Sequence, residues 1–195
     1  PARSCRDLAQ SNPDFKDGYY YIDPNKGNLK DSILVFCKIE SGETCITPSP
    51  SKYHKKNLSS GKKVGESYLW VSHQLTKYNE FPYKSDGYQI KALQSVSRYA
   101  TQNVTFHCFN TIAYHDQMIN SKYKAVKLMS YNEENLTAEG KRAFRYAVNI
   151  DGCKTKSDKW DKTVIEMNTT NSKLLPVLDV GVYDIAQGKQ DFHIE

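Results

Sequence analysis

Gly18-Tyr-Tyr-Tyr-Ile-Asp-Pro-Asn-Lys-Gly-Asn-Leu-Lys-Asp-Ser-Ile-Leu-Val-Phe-Cys37 sets two apolar runs on either side of a polar turn. The runs, Gly18 to Ile22 and Ser32 to Ile39, read as strands, because aromatic and β-branched side chains suit a pleated, half-buried surface. Between them, Asp23 to Asp31 gathers the side-chain oxygens of Asp23, Asn25 and Asp31 around Gly27, which can tighten a reversal. Hard cations take six to eight oxygens, and these three side chains with backbone carbonyls near Lys26 and Asn28 read as a loop that folds around Ca2+. The loop is not an EF-hand: counted from Asp23, the sixth position is Asn28, where Gly is required, and the twelfth is Leu34, where a bidentate Glu is required. The same run also reads as an ordinary reverse turn with a solvated face.

Beyond Ile39, Glu40-Ser-Gly-Glu43 turns the chain into Thr44-Cys45-Ile46. From Gln89 to Ala100 the apolar positions Ile90, Leu93 and Val96, with Ala92 and Tyr99, recur at helical spacing and predict a helix. Val104, Phe106 and Cys108 alternate as a strand does, and so do Phe144, Tyr146, Val148 and Ile150 on the approach to Asp151-Gly152-Cys153. Thr163 to Met167 and Leu174 to Val180 predict further strands, the last at an edge or bulge because Pro176 cannot donate to a ladder. The expected class is α+β, with loop-rich, disulfide-linked antiparallel sheets and few helices, folded as one unit over residues 1–195.

The 195 residues are enough for a real core, and no run approaches the ~18 apolar residues of a membrane span. The chain starts at Pro1 without an apolar leader and is expected to be a mature or excised piece of a longer precursor. Cys5, Cys37, Cys45, Cys108 and Cys153 form no CxxC pair and have no His at ligand spacing, which favours disulfides over zinc. Sequons at Asn57, Asn103, Asn135 and Asn168 agree with a secreted chain. The net charge of +5 is modest, and much of it is concentrated at Lys52, Lys55, Lys56, Lys62 and Lys63, among Ser, Asn and Gly. That stretch reads as a solvated loop, or as a contact for a glycosaminoglycan or a protein partner. It lacks the Arg and stacking aromatics of nucleic-acid readers, so neither nucleic acid nor membrane is expected as a partner. No nucleophile elbow, HExxH or phosphate-cradling loop is present, and Tyr114-His115-Asp116 reads as a surface or structural triplet, so no enzyme is expected.

The order Cys5-Arg-Asp-Leu, Gly18 to Asn25, Val35-Phe-Cys37, Glu40-Ser-Gly-Glu-Thr-Cys45, Gln102-Asn-Val-Thr-Phe-His-Cys108, Asn110-Thr-Ile-Ala-Tyr114, Asp151-Gly-Cys153, Trp160-Asp-Lys-Thr-Val164, Leu175-Pro-Val-Leu-Asp179 and Tyr183-Asp-Ile185 resembles the C-terminal propeptide of fibrillar procollagens. The resemblance covers nearly the whole chain. It implies a base and a petal lobe, and a domain that brings three chains into register before the triple helix forms. A tolloid-type proteinase, with its enhancer, then removes that domain. The implied Ca2+ ligands are Asp23, Asn25 and Asp31 by side chain and Lys26 and Asn28 by backbone carbonyl. The implied disulfides pair Cys5 with Cys37 and Cys108 with Cys153, and the implied glycan sits on Asn103. The implied partner of Cys45 is a cysteine near the extreme C-terminus, which a chain stopping at Glu195 does not contain.

The family's two interchain cysteines fall on Ser11 and Asn28, so the expected homotrimer is noncovalent. No heptads lead into Cys5, so the family's coiled-coil stalk is not expected in this piece. The resemblance also places assembly in the endoplasmic reticulum and the product in the extracellular matrix. A fainter similarity, Gly18-Tyr-Tyr-Tyr-Ile-Asp-Pro followed by Val35-Phe-Cys37, points to fibrinogen-like modules that bind sugars or proteins. It lapses after Cys37, where Gly42-Glu-Thr-Cys45-Ile replaces the expected Gly-Gly-Gly-Trp-Thr.

Overall fold

In a computed structural model, which describes residues 1–49, 51–54, 68–74, 83, 85–185 and 189–195, the chain divides into two compact units. The first comprises Pro1–Ser51, Pro82–Tyr99 and Thr170–Lys173; the second comprises Lys52–Phe81, Ala100–Thr169 and Leu174–Glu195.

The first unit holds α1 (Cys5–Ser11), β1 (Gly18–Ile22), β2 (Ile33–Lys38), β3 (Glu43–Cys45) and α2 (Gly87–Ser95). The three strands form an antiparallel sheet in the order β1-β2-β3, with Tyr19 facing Phe36 and Tyr21 facing Leu34 in register. Ile33, Val35 and Cys37 point inward on β2 and join Cys5, Ile22 and Leu93 in a small core. The Cys5–Cys37 disulfide runs through that core.

Two features of this unit depart from expectation. Helix α1 was not anticipated, although Ser4 and Asp7 have capping spacing: Ser4 Oγ accepts from the Asp7 amide at 3.2 Å. Helix α2 ends at Ser95, five residues before the predicted Ala100. Its start is fixed by Asp86, whose carboxylate accepts from the Tyr88 amide. At its end, Ser95 Oγ donates to the Ala92 carbonyl and Ser97 Oγ to the Leu93 carbonyl, so serine hydroxyls take up carbonyls that a longer helix would use. Val96 and Tyr99, counted as part of the apolar stripe, are exposed instead.

The second unit contains β4 (Tyr53–His54), β5 (Leu69–Trp70), β6 (Ala100–Phe109), β7 (Lys127–Met129), β8 (Asn135–Leu136), β9 (Ala147–Asp151), β10 (Trp160–Thr169), β11 (Asp179–Val182) and β12 (Asp191–Ile194). They form a five-stranded sheet, β4-β12-β6-β10-β9, and a four-stranded sheet, β5-β11-β7-β8, with every pairing antiparallel. Val104, Phe106 and Cys108 of β6 and Ile165 and Met167 of β10 turn into one core with Leu128, Val180, Val182, Phe192 and Ile194. The Cys108–Cys153 disulfide closes a loop of sequence separation 45. Gly152, next to Cys153, has no substitute: a Cβ there would come within 2.0 Å of Asp161 Oδ1 and 2.6 Å of the Lys162 carbonyl.

Here too, apolar alternation overran the strands. Phe144 lies in a 3₁₀ turn, Arg142–Phe144, and β9 starts only at Ala147. A register shift at Val164/Ile165 accompanies the exposure of Ile150. The strand expected from Leu174 begins at Asp179, after a 3₁₀ turn at Ser172–Leu174 and the cis Leu175–Pro176 bond. Pro176 has no N–H for a ladder, so pairing begins beyond it, and β11 lies inside its sheet rather than at an edge. The antiparallel, disulfide-linked α+β class holds throughout.

Candidate calcium turn and subunit face

Between β1 and β2 the chain reverses through Asp23 to Ser32, with a 3₁₀ turn at Leu29–Asp31. The left-handed residue is Lys26 (φ 54°), where Gly27 had been expected to supply the tightness. Gly27 packs tightly against Asn25: its N–H donates to Asn25 Oδ1 at 2.9 Å, and a Cβ would stand 3.2 Å from that oxygen. Asn28 caps the 3₁₀ turn, its Oδ1 accepting from Lys30 N and its carbonyl accepting from Asp31 N at 2.9 Å. Asn25 Nδ2 donates to Asp31 Oδ2 at 3.0 Å, so two of the three predicted side-chain ligands touch directly.

The organiser of this turn is a residue that sequence reasoning missed. Gln89, fully buried on α2, donates through Nε2 to Asp23 Oδ1 at 3.1 Å, Asn25 Oδ1 at 3.2 Å and the Asp31 carbonyl at 3.0 Å. Its Oε1 accepts from Asn25 N at 3.1 Å. A primary amide has two hydrogens, so three oxygens converge on a donor that can fully satisfy only two. Asp23 is 1% exposed, an unusual depth for a carboxylate whose side chain is met here by a neutral amide. A cluster of converging hard oxygens with surplus acceptor capacity around a buried carboxylate fits a hard cation. Among the described residues no group of three or more His, Cys, Asp or Glu is arranged to hold a metal ion. The donors at the turn are all oxygens, from two carboxylates, an amide and backbone carbonyls, a set that suits calcium and lacks the thiolate and imidazole ligands usual at zinc.

The role of Gln89 is testable without any ion. Gln89→Leu leaves the Asp23 carboxylate buried with its donor gone, and the expected loss is about 1–3 kcal/mol of stability. Urea unfolding followed by far-UV circular dichroism reads it; an unchanged midpoint would show that the amide is dispensable.

Beside the turn, the outward face of β1 and β2 is apolar and open. Tyr19 is 64% exposed, Tyr21 68% and Leu34 46%, and Leu29 within the turn is 64% exposed. Tyr19 meets Phe36 edge-on across the strands, with ring centroids 5.3 Å apart.

The remaining predicted positions lie elsewhere. Both disulfides are formed, and Cys45 is free and half-buried, with burial pushing its thiol up. Ser11 ends α1 and Asn28 caps the 3₁₀ turn. Asn103, Asn135 and Asn168 are exposed, whereas Asn57 and Lys55, Lys56, Lys62 and Lys63 lie outside the described residues. In the Tyr114-His115-Asp116 triplet, His115 Nε2 bonds Asn120 Oδ1 at 2.9 Å, while Asp116 pairs with Lys124 Nζ at 3.1 Å. Each is thus engaged locally. No described helix is long and apolar enough to cross a membrane.

The family model of the fibrillar collagen C-terminal domain matches residues 1–195. The chain belongs to that family. Similar collagen chains include the collagen alpha-1(II) chain of Xenopus tropicalis, 41% identical, and the collagen alpha-2(I) chains of Oryctolagus cuniculus, 38%, and Rattus norvegicus, 39%. Each alignment covers 100% of this chain, but only 14%, 38% and 15% of the respective relatives. This fibrillar collagen C-terminal domain therefore spans well under half the length of the collagens it matches. Its disulfides and antiparallel sheets agree with the extracellular collagen propeptide class.

Proposed function

We propose that this domain is the trimerisation unit of a fibrillar procollagen, bringing three chains into register to nucleate the triple helix, with calcium at the Asp23–Asp31 turn ordering the subunit contact. The observation that carries the reading is the juxtaposition of an oxygen-rich turn with an exposed apolar face in one compact unit. Tyr19, Tyr21, Leu29 and Leu34 together present more apolar surface than a solvated sheet needs, and open apolar patches of this kind mark protein contacts. The partners are identical or related procollagen chains. Ser11 and Asn28 stand where cysteines would bridge subunits, so the assembly is held noncovalently.

Bound calcium would supply positive charge that neutralises the buried Asp23 and fixes the turn. Asp23, Asn25 and Asp31 would hold it by side chain, with the carbonyls of Lys26 and Asn28 completing the shell. In this reading the domain is secreted, glycosylated at Asn103, and released into the matrix by a tolloid-type proteinase acting with its enhancer.

Tyr21→Lys combined with Leu34→Lys tests the surface. Both side chains are exposed, so the fold should survive, while the charges oppose burial between subunits. Each site should cost association about 2 kcal/mol or more. Sedimentation velocity in millimolar calcium is expected to show single chains; trimers of undiminished stability would place the interface elsewhere.

A further inference from the structure

Three histidines from three neighbouring strands form a row on the outward face of the five-stranded sheet. His193 on β12 is in register with His54 on β4 and with His107 on β6. Strand alternation fixes their direction: Phe192 and Ile194 are buried beside His193, and Phe106 and Cys108 beside His107, so the imidazoles face away from the core. The rings pack on one another. His107 and His193 stack with centroids 4.1 Å apart and planes 18° apart, His54 lies 4.9 Å from His193, and the Trp160 ring lies 5.2 Å away on the β10 side.

The charges around the row are mixed and few. Glu195 Oε2 lies 3.5 Å from His107 Nε2, but the same oxygen lies 3.6 Å from Lys52 Nζ, which precedes β4. Lys162 on β10 is in register with His107, and Asp191 lies two residues before His193 on β12. His107 Nε2 is enclosed and makes no hydrogen bond. Two carboxylates, one of them shared with a lysine, cannot neutralise three imidazolium ions, and like charges directly opposite across strands are destabilising.

Strand β4 is the edge of its sheet and is held there by two register pairs, His193 with His54 and Ile194 with Tyr53. We infer that the histidine row is an acid-operated latch: neutral, stacked imidazoles hold β4 against β12, and proton uptake by the row releases β4 as the pH falls through the histidine range. Burial chiefly, then His107, His54 and Lys52, hold the His193 imidazole below its ordinary value, with Asp191 opposing them. A base whose value is lowered by folding is protonated first in the unfolded chain. Its contribution to stability is therefore complete above the ordinary histidine value near 6.5 and is lost as the pH falls below it toward the folded value.

Hydrogen exchange read by mass spectrometry on the whole 195-residue chain tests the latch, with rates corrected for the intrinsic pH dependence of exchange. Between about pH 7.5 and about pH 5.5, peptides covering β4 and β12 are expected to lose about tenfold in protection relative to the paired strands β6 and β10. His193→Gln and His54→Gln each remove one cation from the row and should abolish or strongly reduce that loss. His54 is exposed, so its variant decides the matter even if His193→Gln does not fold. Equal protection at the two pH values, or an undiminished acid response in the variants that fold, would overturn the inference.

Discussion

Replacing Cys108 and Cys153 with alanine is expected to lower the stability of the second unit by roughly 4 kcal/mol. The bridge closes a loop of sequence separation 45, and on the chain-entropy account a loop of that length restricts the unfolded ensemble by about this amount. Both cysteines are buried, Cys153 at 0% and Cys108 at 4% exposure, so removal also leaves unfilled volume in the core beside Phe106 and adds to the loss. The bridge joins β6, in the middle of its sheet, to the segment after β9 at Gly152, where the chain has no room for a side chain. Trp70 and Trp160 both belong to this unit, so urea unfolding followed by tryptophan fluorescence reports on it directly. An unfolding midpoint within error of the wild-type domain would mean that the bridge contributes nothing the packed strands do not already supply.

The second large effect is expected at Asp23. Asp23→Ala removes the only nearly buried carboxylate of the turn, and affinity in oxygen sites follows the number and charge of the ligands. Extracellular modules bind calcium at about 10⁻⁴ to 10⁻³ M, so a further loss of more than about tenfold takes the variant out of the physiological range. Titration calorimetry should give a saturable heat for the wild-type domain and none for Asp23→Ala. Retention of the Cys5–Cys37 bridge and of the circular dichroism spectrum separates loss of the site from loss of the fold. An equal heat in both proteins would move the ion away from this turn.

Much of the fold could be read from local patterns, and the failures have physical causes. The aromatic and β-branched run Gly18 to Ile22 marks strand β1 with its observed ends. The alternation of Val104, Phe106 and Cys108 located β6, whose inward residues are spaced by two. Alternation failed at Phe144 and at Leu174, where apolar residues enter the core from 3₁₀ turns that have no such period. Helix α2 was overextended because Val96 continues an apolar stripe that Ser95 and Ser97 close by local hydrogen bonds. Helix α1 was missed even though Ser4 and Asp7 signal its start, since only its first residue is buried and it carries little apolar periodicity.

At the candidate site the oxygens were legible and their organiser was not. Asp23, Asn25 and Asp31 lie within one turn, so sequence places them together before any tertiary structure forms. Gln89 reaches them from 64 to 66 residues away in its contacts with Asn25 and Asp23, and nothing local distinguishes it from a solvated glutamine on an amphipathic helix. The histidine row was invisible for the same reason, because its members are separated along the chain and meet only through strand register.

Molar mass in solution, by light scattering on a sizing column in millimolar calcium and again in chelator, tests the central claim most directly. The account predicts three times the 22.3 kDa of one chain in calcium and a fall toward one chain in chelator. A mass of one chain in both buffers, or a trimer indifferent to chelator, would contradict it.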